Sequence, residues 1–165
     1  MSFFSRHTPE INEQPLHSEL AHPQVQCYVI AILILDAFTR EYKPISHQLE
    51  NMIVQNVDPQ HIINSSKFRA GVNIQKQGNH QYHFEFTSIS HKFNITLSLS
   101  GNRIVCTKLF YRYIDKTIFG AYEYVLDYNG DTILQKRNNN SKRSRRLTQN
   151  DFLPELLESL TQSVF

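Results

Sequence analysis

Two stretches decide how this chain folds: Tyr82-His83-Phe84-Glu85-Phe86-Thr87 and Phe93-Asn94-Ile95-Thr96-Leu97-Ser98-Leu99-Ser100-Gly101-Asn102. Both alternate apolar and polar side chains. In an extended chain that period sends successive side chains to opposite faces, so one face meets a core and the other meets water. Gly101-Asn102, and Asn129-Gly130 further on, have the composition of two-residue hairpin connections. A strict two-residue loop at Gly101-Asn102 pairs Leu99 with Ile104, Leu97 with Cys106 and Phe93 with Phe110, but sets Ile95 against Lys108. The same loop at Asn129-Gly130 pairs Leu126 with Ile133, Val125 with Leu134, Glu123 with Lys136 and Tyr122 with Arg137, all favourable neighbours. Gly78-Asn79 turns a first hairpin. There a strict loop would put Val72 and Ile74 on the wrong face, so a longer turn or a bulge is expected. From about Ala70 to Arg137 the pattern therefore reads as an antiparallel meander of about five or six strands.

Working outward, the period before the meander is helical. Pro23 suits the first turn of a helix, and the run Cys27–Leu35 is apolar on nearly every side, which places that helix centrally. Val25, Val29, Ile32 and Leu35 mark one face, and Pro44 sets the end near Tyr42. A second helix is expected from about Ile45 to Asn56, with Leu49, Met52 and Ile53 inward. Asp58-Pro59 opens a short third helix. After the meander, Leu153, Leu156, Leu157 and Leu160 recur at helical spacing behind a cap at Asn150 or Asp151. The fold class is thus α+β: N-terminal helices (one central and apolar), a five- to six-stranded antiparallel meander sheet, and a C-terminal helix packed on the sheet, an order that suits helix-grip or cone-like architectures. Residues 1–19 read as a flexible N-terminal arm and residues 20–165 as a single domain with an exposed basic loop at 136–146.

Composition narrows the class. The chain has 165 residues, 40% hydrophobic and 19% charged, enough apolar material for one ordinary core. The Cys27–Leu35 run is well short of the roughly 20 residues that cross a bilayer, so no membrane partner is expected. The opening residues are polar and carry no secretory pattern, so the expected location is cytoplasmic, with Cys27 and Cys106 as buried structural thiols. Charge is lopsided. Six of the seventeen basic residues lie between Lys136 and Arg146 with no acid among them, leaving a net of −4 elsewhere. In a eukaryotic cell that spacing would resemble a bipartite nuclear-import signal.

The sequence carries no phosphate-cradling glycine loop, nucleophile elbow, His-Glu-x-x-His, Cys-x-x-Cys or dinucleotide fingerprint, which lowers the expectation of an enzyme. No catalytic residue and no cofactor are assigned. The eight histidines show no metal-ligand spacing: His80 and His83 fall on opposite faces of a strand, so no metal is assigned. Asp36 follows the apolar run and is expected to pair with Arg40 on the solvent side; facing inward, it would serve a cavity. Two macromolecule-binding features remain. The basic segment, Lys136, Arg137, Lys142, Arg143, Arg145 and Arg146, is expected to leave the sheet at Asn138–Asn140 as a solvated loop suited to phosphates or acidic protein surfaces. Tyr111, Arg112, Tyr113 and Tyr122 interleave aromatics with a cation on neighbouring strands, a pattern that can stack bases but more often serves cross-strand packing on a sheet. The leading expectation is a non-enzymatic interaction module, adaptor or inhibitor, docking on a protein partner. Alternatives are nucleic-acid binding through the basic loop, and an apolar ligand or enzymatic cavity between sheet and helices.

Overall fold

The computed structural model describes residues 23–63, 65–69, 71–117, 120–128, 130–138, 144–146 and 156–160. Three helices come first: α1 (Pro23–Ala37), α2 (Ser46–Gln55) and α3 (Pro59–Ile62). The strands β1 (Asn73–Gly78), β2 (Gln81–Thr87), β3 (His91–Ser100), β4 (Arg103–Thr117), β5 (Gly120–Tyr128) and β6 (Ile133–Asn138) form an antiparallel meander in sequence order. A three-residue strand, β7 (Ser144–Arg146), extends its far edge, and the sheet stays open. Residues 156–160 are helical (α4). The fold class read from the sequence is the one observed. No helix among the described residues is long and apolar enough to cross a membrane.

Alternation fixes the inner face of the sheet. Tyr82, Phe84 and Phe86 of β2, Phe93, Ile95 and Leu97 of β3, Leu109 and Tyr111 of β4, and Tyr124, Leu126 and Tyr128 of β5 are all buried. Helix α1 covers them with Cys27, Ile30, Ala31, Ile34 and Leu35, and α2 with Leu49, Met52 and Ile53. Buried aromatic side chains each contribute about 1.5–3 kcal/mol through burial, so this layer dominates stability. The face expected for α1 is corrected in part: Leu35 is buried, but Val29 is 56% exposed. A helix apolar on every side does not specify which side packs. The sheet takes the one carrying Cys27 and Ala31, whose small side chains let α1 lie close to β4.

Helix α1 also stops earlier than Pro44 alone would require. Thr39 is extended (φ −77°, ψ 161°), its hydroxyl lies 2.8 Å from the carbonyl oxygens of both Asp36 and Lys43, and it bridges to Phe68. A hydroxyl that serves the backbone in this way competes with helix continuation. Helix α2 matches expectation and ends at Asn56 in the left-handed conformation, its N–H reaching the carbonyls of Met52 and Ile53.

Hairpin registers show where local rules gave way to packing. Between β3 and β4 the pairs Leu99–Ile104 and Leu97–Cys106 form as expected, but a bulge at Thr107 shifts the remainder, and Ile95 faces Leu109 instead of Lys108. The bulge removes the one unfavourable pair of the strict register. Between β1 and β2 the expected bulge is present, and Ile74 opposes Phe84 on the inner face. Between β5 and β6 the register differs by two: Tyr128 faces Ile133 and Leu126 faces Gln135. A shift of two keeps every side chain on its face, so patterning alone could not detect it.

Candidate macromolecule-binding edge

The basic segment is where the structure departs most from the sequence reading. Lys136, Arg137 and Asn138 do not leave the sheet. They pair with Val125, Tyr124 and Glu123 of β5 on one side and with Arg146, Arg145 and Ser144 of β7 on the other. The inward–outward alternation of Ile133 to Lys136 carries into this stretch, and ladder bonds on both sides outweigh the low strand propensity of asparagine, worth under about 1 kcal/mol. Lys142 and Arg143 lie outside the described residues.

The register has an electrostatic consequence. Lys136 sits directly opposite Arg146, and Arg137 directly opposite Arg145. Such positions are about 5 Å apart at Cβ, and like charges there work against pairing. Alternation assigns the two pairs to opposite faces of the ribbon. Lys136 is exposed, whereas Arg137 is half-buried with its guanidinium 5.6 Å from the centre of the Tyr122 ring. That cation–π contact, worth about 0.5–1 kcal/mol at such a site, anchors one of the four cations.

The tyrosine group does not form one contact surface. Tyr111 and Tyr113 are buried on the inner face, and Arg112 points the other way, opposite Lys92 and Val125. Tyr111 places its hydroxyl 3.0 Å from Ser159 Oγ of α4. Tyr122 is half-buried, its ring 6.1 Å from that of Tyr113. Only Tyr122 joins the basic edge, through Arg137.

Beneath this end of the sheet α4 docks by Leu156, Ser159 and Leu160, while Leu157, expected inward, is 43% exposed; Leu153 and the cap lie outside the described residues. His91 Nε2 donates to the carbonyl of Ser159 across 3.3 Å, while its Nδ1 is buried without a hydrogen-bond partner. Burial holds the His91 pKa below its ordinary value, with the Ser159 carbonyl opposing. Sequence reasoning missed His91, although its place two residues before Phe93 puts it on the inward face.

The remaining candidates have structural partners. Asp36 does not pair with Arg40: its Oδ1 accepts the Ile45 N–H at 2.8 Å just ahead of α2, and Arg40 Nε–H donates to the Ser66 carbonyl. Burial raises the Asp36 pKa, and the Ile45 N–H partly offsets this. His80 Nδ1–H donates to the Ile53 carbonyl, tying the first hairpin turn to the end of α2. Cys27 and Cys106 are buried, not bridged by a disulfide and in contact where α1 meets β4, and burial pushes the Cys27 thiol far above its ordinary pKa. Among the described residues no three His, Cys, Asp or Glu side chains are grouped to hold a metal ion. Comparison with protein-family models, with curated proteins and with solved structures finds no match.

Proposed function

We propose that the chain is a non-enzymatic interaction module that docks on an acidic protein surface through the β6–β7 edge. Lys136, Arg137, Arg145 and Arg146 make the contact, and Lys142 and Arg143 add charge between the two strands. The observation carrying this reading is the register that opposes Lys136 to Arg146 and Arg137 to Arg145. Two like-charged cross-strand pairs oppose folding, and an anionic partner converts that opposition into affinity. Two features favour a protein over a longer polyanion. The rest of the chain carries a net of −4, which confines attraction to a local patch. Arg137 stacked on Tyr122 is also the residue pair in which protein interfaces are enriched.

Nucleic-acid binding is the second reading, favoured by the cation density of the edge: Lys136, Arg137, Arg145 and Arg146 fall on two neighbouring strands, each able to neutralise a phosphate. Fluorescence anisotropy separates the two. A labelled Glu-rich peptide and labelled DNA and RNA duplexes are titrated with the full chain and with a variant carrying Lys136→Gln, Arg137→Gln, Arg145→Gln and Arg146→Gln. Tighter binding of the peptide, lost in the variant, is the expected result. Tighter binding of a duplex puts the second reading first. No binding of any probe at low salt overturns both and leaves the charges as a guard against edge-to-edge pairing.

A further inference from the structure

Away from the basic edge, a cleft of about 300 Å³ opens where the end of α1, the start of α2 and the 3₁₀ turn Ser65–Lys67 meet. Arg40, Lys43 and Lys67 line it, with Glu41 as the one acid among its lining residues. Lys43 Nζ lies 3.2 Å from Glu41 Oε1, and among the described residues neither Arg40 nor Lys67 pairs with a carboxylate. The cleft therefore presents uncompensated positive charge in a concave site.

Its wall is strained. Glu41 (φ 65°) and Tyr42 (φ 56°) are consecutive left-handed residues, a conformation that side chains other than glycine rarely adopt. Such strain persists only where the surroundings over-determine it, and it gathers at ligand clamps. The surroundings here do so: the Thr39 hydroxyl lies 2.8 Å from the carbonyls of both Asp36 and Lys43, its one hydrogen shared between them, and the Arg69 guanidinium lies 4.7 Å over the Tyr42 ring. Across the cleft, Arg40 Nε–H donates to the Ser66 carbonyl at 2.7 Å, which fixes the guanidinium and leaves its two terminal NH₂ groups for an oxyanion. A fixed planar fork beside two ammonium groups suits a tetrahedral, multiply charged anion better than a single carboxylate.

We propose that this cleft binds the phosphate or diphosphate group of a small ligand, with Arg40 and Lys67 as the charged contacts and Lys43 turning from Glu41 to the anion. The site is separate from the β6–β7 edge, so it stands or falls independently of the docking reading. The test is NMR titration of the full ¹⁵N-labelled chain with inorganic phosphate and with pyrophosphate at matched ionic strength. Saturable shifts centred on residues 40–48 and 66–67 are expected, with affinity reduced at least about tenfold by Arg40→Gln with Lys67→Gln, and unchanged in the edge variant. Tighter binding of pyrophosphate assigns a diphosphate, and equal binding a single phosphate. Both substituted side chains are exposed, so the fold should survive; Lys67→Glu is a second variant and should abolish saturation. Shifts confined to β6 and β7, no saturation with either probe, or undiminished affinity in the cleft variants would overturn the proposal.

Discussion

Replacing Arg145 by glutamate converts the Arg137–Arg145 cross-strand pair from repulsion to attraction. Two unit charges about 6 Å apart interact by about 0.7 kcal/mol in water, reduced by salt. Reversing its sign gives a swing of about 1 kcal/mol at low ionic strength, within the range measured for cross-strand charge pairs. For a domain of this size that is a rise in Tm of about 2–4 °C. The assay is thermal unfolding by circular dichroism of both proteins at low salt and at about 0.5 M salt, where a Debye length near 4 Å screens the pair and the difference should shrink. The same substitution should weaken binding of the Glu-rich peptide. A variant no more stable than the parent at low salt, or one whose gain survives high salt, would refute the register argument.

Asp36→Ala should cost about 1 kcal/mol by removing the acceptor of the Ile45 N–H, while Asp36→Asn keeps an acceptor, removes a half-buried charge and should be neutral or stabilising; equal urea midpoints for the two variants would contradict this. Burial keeps His91 from taking a proton in the fold, so the unfolded chain protonates first, and stability should fall as pH drops through about 6.5 and level off below the folded pKa. His91→Phe should remove that part of the pH profile, and parallel denaturation profiles for parent and variant would exclude it. Deleting Thr107 removes the bulge but leaves Leu97–Cys106, Thr96–Lys108 and Ile95–Leu109 paired in unbroken alternation, so the loss should stay below about 1 kcal/mol. A urea midpoint lowered by the equivalent of about 3 kcal/mol or more would contradict this and show that the bulge itself is required.

Much of the fold was legible because its signals are local. The alternation of Tyr82–Phe86 and Phe93–Leu99, the Gly101-Asn102 turn and the stripe Leu49, Met52, Ile53 each point to one outcome. The bulge before Gly78 was legible too, since a strict loop turned Ile74 away from the core. What escaped depends on partners distant in sequence. Which side of α1 packs is chosen by the sheet, because the helix itself is nearly uniform. The β5–β6 register differs by an even number, which patterning does not sense. Of the candidate binding residues, Lys136 and Arg137 were found by charge density alone. Their opposition to Arg146 and Arg145 needed the strand pairing, since a run of cations with three asparagines reads locally as loop. What covers Tyr111 and Tyr113 was not legible, because the helix that packs on them lies about 45 residues on, at Ser159 and its neighbours.

The central claim, that the β6–β7 edge docks electrostatically on an acidic partner, is tested most directly by the salt dependence of binding. Four engaged cations give a log–log slope of about −3.6 with a DNA duplex, and a shallower but still negative slope with a Glu-rich peptide, whose counterions are less condensed. The account predicts peptide binding that weakens steadily as salt rises and disappears when Lys136, Arg137, Arg145 and Arg146 are all neutralised. Binding that ignores salt, or survives that neutralisation, would contradict it.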